Sequence, residues 1–272
     1  MPLTNDCKTR IQEVVKEILS SRLDKFPSDS SANRNAPFHD AFLGAFREQL
    51  SEVNLETPYL VALASWMHGL NTSLGSGFEN IAHILSNGYK RKFTNAFTLK
   101  ISNTQATNIN SIIVGLKSGN RLPNLQEEDH LITSGIQDTD ILEDALSFTA
   151  DNYVETADYV EAIELKSVRP NSGEGRGEKQ KILNGKAALK RMYPQKQVRF
   201  YIAFPFDPTS HTPTGYDKTR FMNHLIEFKK FFSPEEILIA SEFWDHLSGE
   251  LNTMDQLLEI VAETVNMFCR HE

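Results

Sequence analysis

Cysteine is nearly missing from this chain: of 272 residues only Cys7 and Cys269 carry a thiol, and they lie near opposite ends. Such a pair suits neither a disulfide framework nor a zinc site. Long hydrophobic runs are missing too. No stretch approaches the roughly 20 apolar residues that span a bilayer, and the first residues lack the apolar core of a secretion signal. The expectation is a cytoplasmic protein. Basic residues are absent from Leu122 to Leu165, where twelve acids occur, and acids are absent from Asn80 to Gln126, which holds six Lys or Arg. Residues 166–199 reverse the first pattern, with ten Lys or Arg against Glu174 and Glu178 alone. A net charge of −8 argues at first against a polyanionic partner. Segregation weakens that objection, because only the local field steers a polyanion. The same runs also fit solvated faces, so charge alone leaves nucleic acid open.

What is present is ordinary for a globular protein: 40% hydrophobic and 24% charged residues, in a chain long enough for one elaborated domain or two. Helical spacing of Ile11, Val14, Val15, Ile18, Leu19 and Leu23 predicts a helix over Asn5–Leu23, behind the cap signal Thr4-Asn5-Asp6. Pro27–Pro37 reads as a loop. A second helix is expected around Phe38–Val53, with Phe38, Phe42, Phe46 and Leu50 on a packing stripe. Residues 57–88 read as two helices about the small-residue segment Asn71–Gly77, which puts Glu79 on the first turn of the second. A capped acidic helix is expected near Asp138–Leu146.

The most informative stretch is Phe148–Pro170. Two β-prone runs, Asn152–Glu155 and Val160–Val168, flank a polar tip at Thr156–Tyr159, which is a hairpin pattern. If Glu155 and Val160 close a four-residue loop, backward pairing places Asp151 opposite Glu164. Opposed residues share a face, with Cβ atoms roughly 4.5–5.5 Å apart. Lys166 falls on the same face, about 7 Å further along. Ala162, Ile163, Leu165 and Val168 make this a buried-looking strand, where charges need a reason.

Two carboxylates and an ammonium at one strand end suit metal-assisted phosphodiester hydrolysis. Asp151 and Glu164 can hold Mg²⁺, which keeps waters and bridges to phosphate oxygen. Lys166 can orient the attacking water and offset charge developing on phosphorus. The alternative is a solvated strand that happens to carry Glu-x-Lys, a common tripeptide.

Three further segments bear on partners. Lys90–Gln126 is basic, free of acid and rich in Asn and Gln, with a β-prone run Phe93–Ile101 and a second apolar run Ile112–Leu116. Lys90, Arg91, Lys92, Lys100, Lys117 and Arg121 are candidate DNA contacts, since Arg and Lys pair with guanine edges or phosphates. The loop Arg169–Gly177 adds Arg169, Asn171 and Arg176; it lacks the Gly-Lys-Ser/Thr of a P-loop. A basic helix over Glu178–Tyr193 is expected to turn Ile182, Leu183, Ala187 and Met192 inward and Lys179, Lys186, Lys190 and Arg191 outward. The apolar strand Val198–Phe206 then completes a strand–helix–strand crossover, which predicts an α/β fold with a mixed central sheet flanked by helices. A helix Asp217–Phe232, a buried strand Ile237–Ala240 and a terminal helix Met254–Phe268 follow. His211, His224 and His246 occur singly and read as structural.

Several segments, in order, carry a resemblance: Gly75-x-x-Phe78-Glu79-x-Ile81-Ala82, Ala150-Asp151, Ile163-Glu164-x-Lys166, Pro170-Asn171-Ser172-Gly173-Glu174-Gly175, Phe200 through Asp207-Pro208, and Glu242-Phe243-Trp244-Asp245. The chain resembles the type II restriction endonucleases of the PD-(D/E)xK superfamily, and within them the subgroup that cuts the interrupted palindrome GGNCC. Ala150 stands where the superfamily pattern has Pro. The likeness covers most of residues 70–250 and is loosest over 90–126. It implies one restriction-endonuclease-like domain over 1–272, with 1–56 as a helical elaboration and 90–126 as a DNA-reading insertion. It further implies Mg²⁺, ends bearing 5′-phosphate, a homodimer on double-stranded DNA, and Glu79 as an acid lent to the site by a preceding helix. A helix-capping role for Glu79 is the competing reading. Two other functions stay open: a structure-specific or repair nuclease, and a DNA-binding protein without catalysis.

Overall fold

The computed structural model describes residues 2–27, 36–46, 50, 52, 56–93, 99–166, 174–225 and 227–270. The chain divides into two compact units, Met1–Thr4 with Ala82–Leu258, and Asn5–Ile81 with Glu259–Glu272.

The larger unit is built on a five-stranded mixed sheet. Its strands are β1 (Tyr89–Phe93), β4 (Phe148–Glu155), β5 (Tyr159–Leu165), β6 (Gln197–Phe204) and β7 (Ile237–Ile239), in the order β1-β4-β5-β6-β7. The first two pairings are antiparallel and the last two parallel. Helix α6 (Glu174–Met192) makes the crossover from β5 to β6, as strand–helix–strand order requires of parallel neighbours. The parallel strands read as near-continuous apolar runs because both faces are covered: Ile202, Ala203, Phe204, Ile237, Leu238 and Ile239 are all buried. Helix α6 buries Ile182, Leu183, Ala187, Ala188 and Leu189, whereas Met192, expected inward on its last turn, is exposed. Gly185 lets this helix lie close, since a Cβ there would sit 3.0 Å from the Phe148 ring.

A small second sheet pairs β2 (Lys100–Ser102) with β3 (Leu142–Asp144), antiparallel. Between them run α4 (Asn103–Ser118) and α5 (Leu125–Leu131). Helix α4 starts where Ser102 and Gln105 form a capping box and stops at Gly119, whose φ of 75° a side chain would resist. Asn124 caps α5 by accepting from the Glu127 N–H. The acidic helix therefore lies at 125–131; the expected helix near 138–146 is replaced by β3, because Leu142–Asp144 finds a strand partner in β2. The expected helix Asp217–Phe232 is shorter, α7 (Lys218–His224), followed by a 3-10 turn at Phe228–Lys230. Helices α8 (Ser241–Ser248) and α9 (Thr253–Phe268) close the chain.

The smaller unit is helical. Helix α1 covers Asn5–Leu23, as the spacing predicts, and buries Ile11, Val14 and Val15. Residues 57–86 form one helix, α3 (Thr57–Ser86), rather than two. A mid-helix glycine costs about 1 kcal/mol against alanine, and packing supplies the compensation: a Cβ on Gly77 would lie 2.6 Å from Ile18 Cδ1 of α1. Helix α2 covers only Pro37–Leu43, with a 3-10 turn at Gly44–Phe46. Its phenylalanine stripe is not packed: Phe38 and Phe42 are each 78% exposed and Phe46 is exposed as well.

Candidate active site

The site is set by the β4–β5 hairpin. Thr156 N–H donates to the Tyr159 carbonyl, and Thr156 Oγ1 accepts from the N–H groups of Asp158 and Tyr159. The ladder pairs Glu155 with Val160, Val154 with Glu161, Tyr153 with Ala162 and Asn152 with Ile163. This is the register of a four-residue loop, and one step further brings Asp151 to Glu164. There the Leu165 N–H donates to Asp151 Oδ2 at 3.0 Å, so a side chain takes over at the last rung. On its other edge β4 slips against β1. Tyr89 pairs with Tyr153 but Arg91 with Ala150, so two steps on β1 match three on β4. A bulge at Asp151–Asn152 results, a device that re-aims side chains at strand ends.

Neighbouring groups fix this kink. His83 Nε2 lies 2.6 Å from the Asp151 carbonyl; since a carbonyl only accepts, Nε2 carries the proton. Asn152 Oδ1 accepts from Ser86 Oγ. The charged groups then converge. Lys90 Nζ lies 3.1 Å from Asp151 Oδ1. Lys166 Nζ lies 2.9 Å from Glu164 Oε1 and 3.2 Å from Glu178 Oε1, on α6. Glu164 and Glu178 line a cavity of about 240 Å³ with Ser147, Thr149, Lys181 and Phe200.

Electrostatics sets these groups apart from a solvated strand. Burial, and then the nearby Asp151 charge, push the Glu164 carboxyl up to about 7, although Lys166 opposes the shift. For Lys166, burial works to lower the ammonium, but Glu164 and Glu178 outweigh it and hold its pKa above the ordinary lysine range. Lys166 is therefore a cation at neutral pH. Among the described residues no three His, Cys, Asp or Glu side chains form a ready cage for a metal ion. Two adjacent carboxylates, one disposed by burial and by its neighbour's charge to keep a proton, still fit Mg²⁺, which is held by one or two carboxylates and completes its shell with water and substrate oxygens.

The other candidate residues are dispersed. Glu79 is half-buried in the middle of α3, not on a first turn, so the dipole-cap explanation lapses. Arg91 stacks over Phe93 and Tyr153 and lies 3.5 Å from Glu155. Lys100 pairs with Asp144 across the small sheet, and Arg121 with Glu127 at 3.4 Å. Lys92, Lys117 and Arg176 are exposed. Arg169 and Asn171 lie outside the described residues. Two placements are corrected. Lys179 and Lys186 do not face outward: both are buried, Lys179 between Glu128 and Glu236, Lys186 against Asp129 at 2.6 Å. Lys190 also reaches Asp129, at 3.3 Å. That flank of α6 is covered by α5 and by the turn at Pro234–Glu236, whose acids supply the partners. Glu178 was missed, although it is one of only two acids among residues 166–199. Of the lone histidines, His246 bonds Glu161 at 3.0 Å, in keeping with a structural role.

A mixed five-stranded sheet flanked by helices, with Asp151 and Glu164-x-Lys166 at one end of its hairpin, is a restriction-endonuclease-like architecture. Comparison with known families narrows this. Residues 3–265 match the family described as type II restriction endonuclease, HinfI, and the chain belongs to that family. It is also similar to the type II restriction enzyme MjaII of Methanocaldococcus jannaschii, 48% identical over 266 residues, which cover 96% of this chain and 71% of the relative. The chain is accordingly a sequence-specific DNA endonuclease, of a class that generally uses a divalent metal. No helix among the described residues is long and apolar enough to cross a membrane.

Proposed function

We propose that Asp151, Glu164 and Lys166 are the centre at which this enzyme hydrolyses DNA, with Mg²⁺ held by the two carboxylates. The observation that carries this reading is the meeting of Asp151 and Glu164 at a bulged strand end, with Glu164 displaced to about 7. When bound, the cation supplies Lewis-acid polarisation of the phosphate and a water of lowered pKa. Asp151 and Glu164 orient it. Asp151 is itself aimed by the Leu165 N–H and by the backbone hold of His83. Lys166, as an ammonium, donates to the attacking water or a phosphate oxygen and offsets charge in the transition state. The water oxygen bonds to phosphorus and gives up its proton to solvent, the bond to O3′ breaks and O3′ takes up a proton from solvent, so the products carry 5′-phosphate and 3′-hydroxyl groups. Glu79 shares a stripe of α3 with His83, four residues on, and remains the candidate for a further acid.

The DNA-reading element is proposed within Lys90–Gln126. Its exposed face on α4 presents Thr107, Asn110, Ser111 and Lys117. A palindromic target has two-fold symmetry, which a homodimer mirrors. The compartment is the one that holds DNA, the cytoplasm. Digestion of a mapped plasmid with Mg²⁺, followed by end sequencing, tests the whole. Discrete fragments with 5′-phosphate ends are expected, and GGNCC is the first sequence to look for at the cuts. A smear, or DNA left intact with Mg²⁺ and Mn²⁺ alike, overturns the proposal.

A further inference from the structure

Lys166 is held from two sides. Glu164 reaches its Nζ from two residues back on β5, and Glu178 from α6. Glu178 has only 10% of its side chain exposed, and a carboxylate so enclosed is costly unless paired. Its contact with Lys181, 3.1 Å and three residues on, is with a half-exposed side chain; such helix-surface pairs need no burial. Lys166 is the partner that accounts for the position. An ammonium has three donors and no acceptor. Two of the Lys166 donors serve the carboxylates, which leaves one for a further partner, and both of those carboxylates line the cavity.

The two tethers are not equivalent during the reaction. Glu164 is a proposed metal ligand, so its oxygens are shared once the cation binds. Glu178 is not, and its hold on Lys166 persists. We propose that Glu178 is a positioning residue for cleavage, keeping the Lys166 ammonium aimed while Glu164 is engaged by the cation. This rests on the reading of Asp151, Glu164 and Lys166 as the catalytic centre.

Glu178→Gln keeps the shape and removes the charge. Single-turnover cleavage at saturating enzyme is expected to fall about 10- to 100-fold, the usual loss when an outer support of a metal site is removed. DNA affinity in Ca²⁺ and the melting temperature should hold. In metal-free protein labelled with ¹⁵N-lysine, the Lys166 ammonium resonance, identified by its loss in Lys166→Met, should broaden as solvent exchange quickens. Adding Glu178→Gln to Lys166→Met should cost nothing further. Glu178→Asp, which keeps the charge but shortens the reach, should fall between wild type and Glu178→Gln and gives the same reading if the latter melts early. Wild-type cleavage and an unchanged resonance in both Glu178 variants overturn the inference, as does a loss that adds in full to Lys166→Met. Wild-type cleavage by Lys166→Met itself overturns instead the catalytic reading beneath it.

Discussion

Two lysines in this molecule each lie between two glutamates, and they sit on opposite terms with solvent. Lys166 bridges Glu164 and Glu178 beside a cavity, with 16% of its side chain exposed. Lys179 bridges Glu128 and Glu236 at 2.5 and 2.6 Å, fully buried, with its ammonium 5.1 Å from the centre of the Phe232 ring. Glu178 and Lys179 are consecutive on α6, so one helix serves both clusters. In the deep cluster burial raises the Glu128 carboxyl even against Lys179, and nothing can reach it. In the open cluster the same conflict between burial and charge is left beside a cavity that Glu164 and Glu178 line. The charge pattern alone therefore does not distinguish a lock from a site; access does.

The sharpest way to break this contrast is to remove a charge from each side. Glu164→Gln, and likewise Asp151→Asn, should lower Mg²⁺-dependent cleavage by more than about a thousandfold, roughly 4 kcal/mol of barrier at 1.4 kcal/mol per decade. Binding of the same duplex in Ca²⁺-containing buffer should survive. Near-normal cutting by either variant would place the active centre elsewhere. Lys179→Met should act on stability instead. Removing one partner of a buried ion pair costs about 3–5 kcal/mol, so the melting temperature should drop by about 10 °C at roughly 2–4 °C per kcal/mol. Cleavage by the folded fraction should fall far less than in the Glu164 variant. An unchanged melting curve would show that the deep cluster is not a lock.

A smaller effect separates the clusters by pH. An unfolded glutamate titrates near 4.3, and Glu164 near 7 when folded without metal. Its contribution to stability is complete below about pH 4.3 and is lost as pH rises through about 7. Cation binding runs the other way, because the metal displaces a proton. Ca²⁺ affinity, followed by calorimetry from about pH 5.5 to about pH 8, should climb by up to tenfold per unit and level off above about 7. In Glu164→Gln that slope should vanish; a slope that persists would assign the proton to another group. The smallest effect is expected from Asp158→Asn. Asp158 lies exposed at the hairpin tip, in neither cluster, and its loss should change cleavage by no more than about twofold. Loss of activity there, with Asp151→Asn active, would mean that the hairpin register is wrong.

The hairpin was legible because a strand has a period of two and the tip residues Thr156–Tyr159 marked the loop length; together these decide which acids face each other. Helix α1 and the β5–α6–β6 crossover were legible from apolar spacing alone. The buried lysines were not. Their partners, Glu128, Asp129 and Glu236, lie 51 to 57 residues away in sequence, and a lysine on a basic helix carries no local mark of what will cover it. Glycines misled in α3, where Gly77 signals close packing against Ile18 rather than a break. The amides of Lys90–Gln126 misled in part as well. Gln105 is spent on the Ser102 capping box and the Ile132 carbonyl, and Asn108 on the carbonyls of Leu131 and Ser134. Substituting those two would report on folding, whereas Asn110, Ser111 and Lys117 remain free to report on base choice.

The adjacency of Glu178 and Lys179 makes α6 a lever with its fulcrum sunk in the core. Side chains reach about 5–6 Å from a helix axis, so a roll of roughly 20° would carry the Glu178 carboxylate about 2 Å. That is enough to break its 3.2 Å contact with Lys166. Lys179, clamped by three groups that have no room to follow, resists such a roll. The position of the Lys166 ammonium is thus set from inside the protein, by an ion pair buried away from the surface.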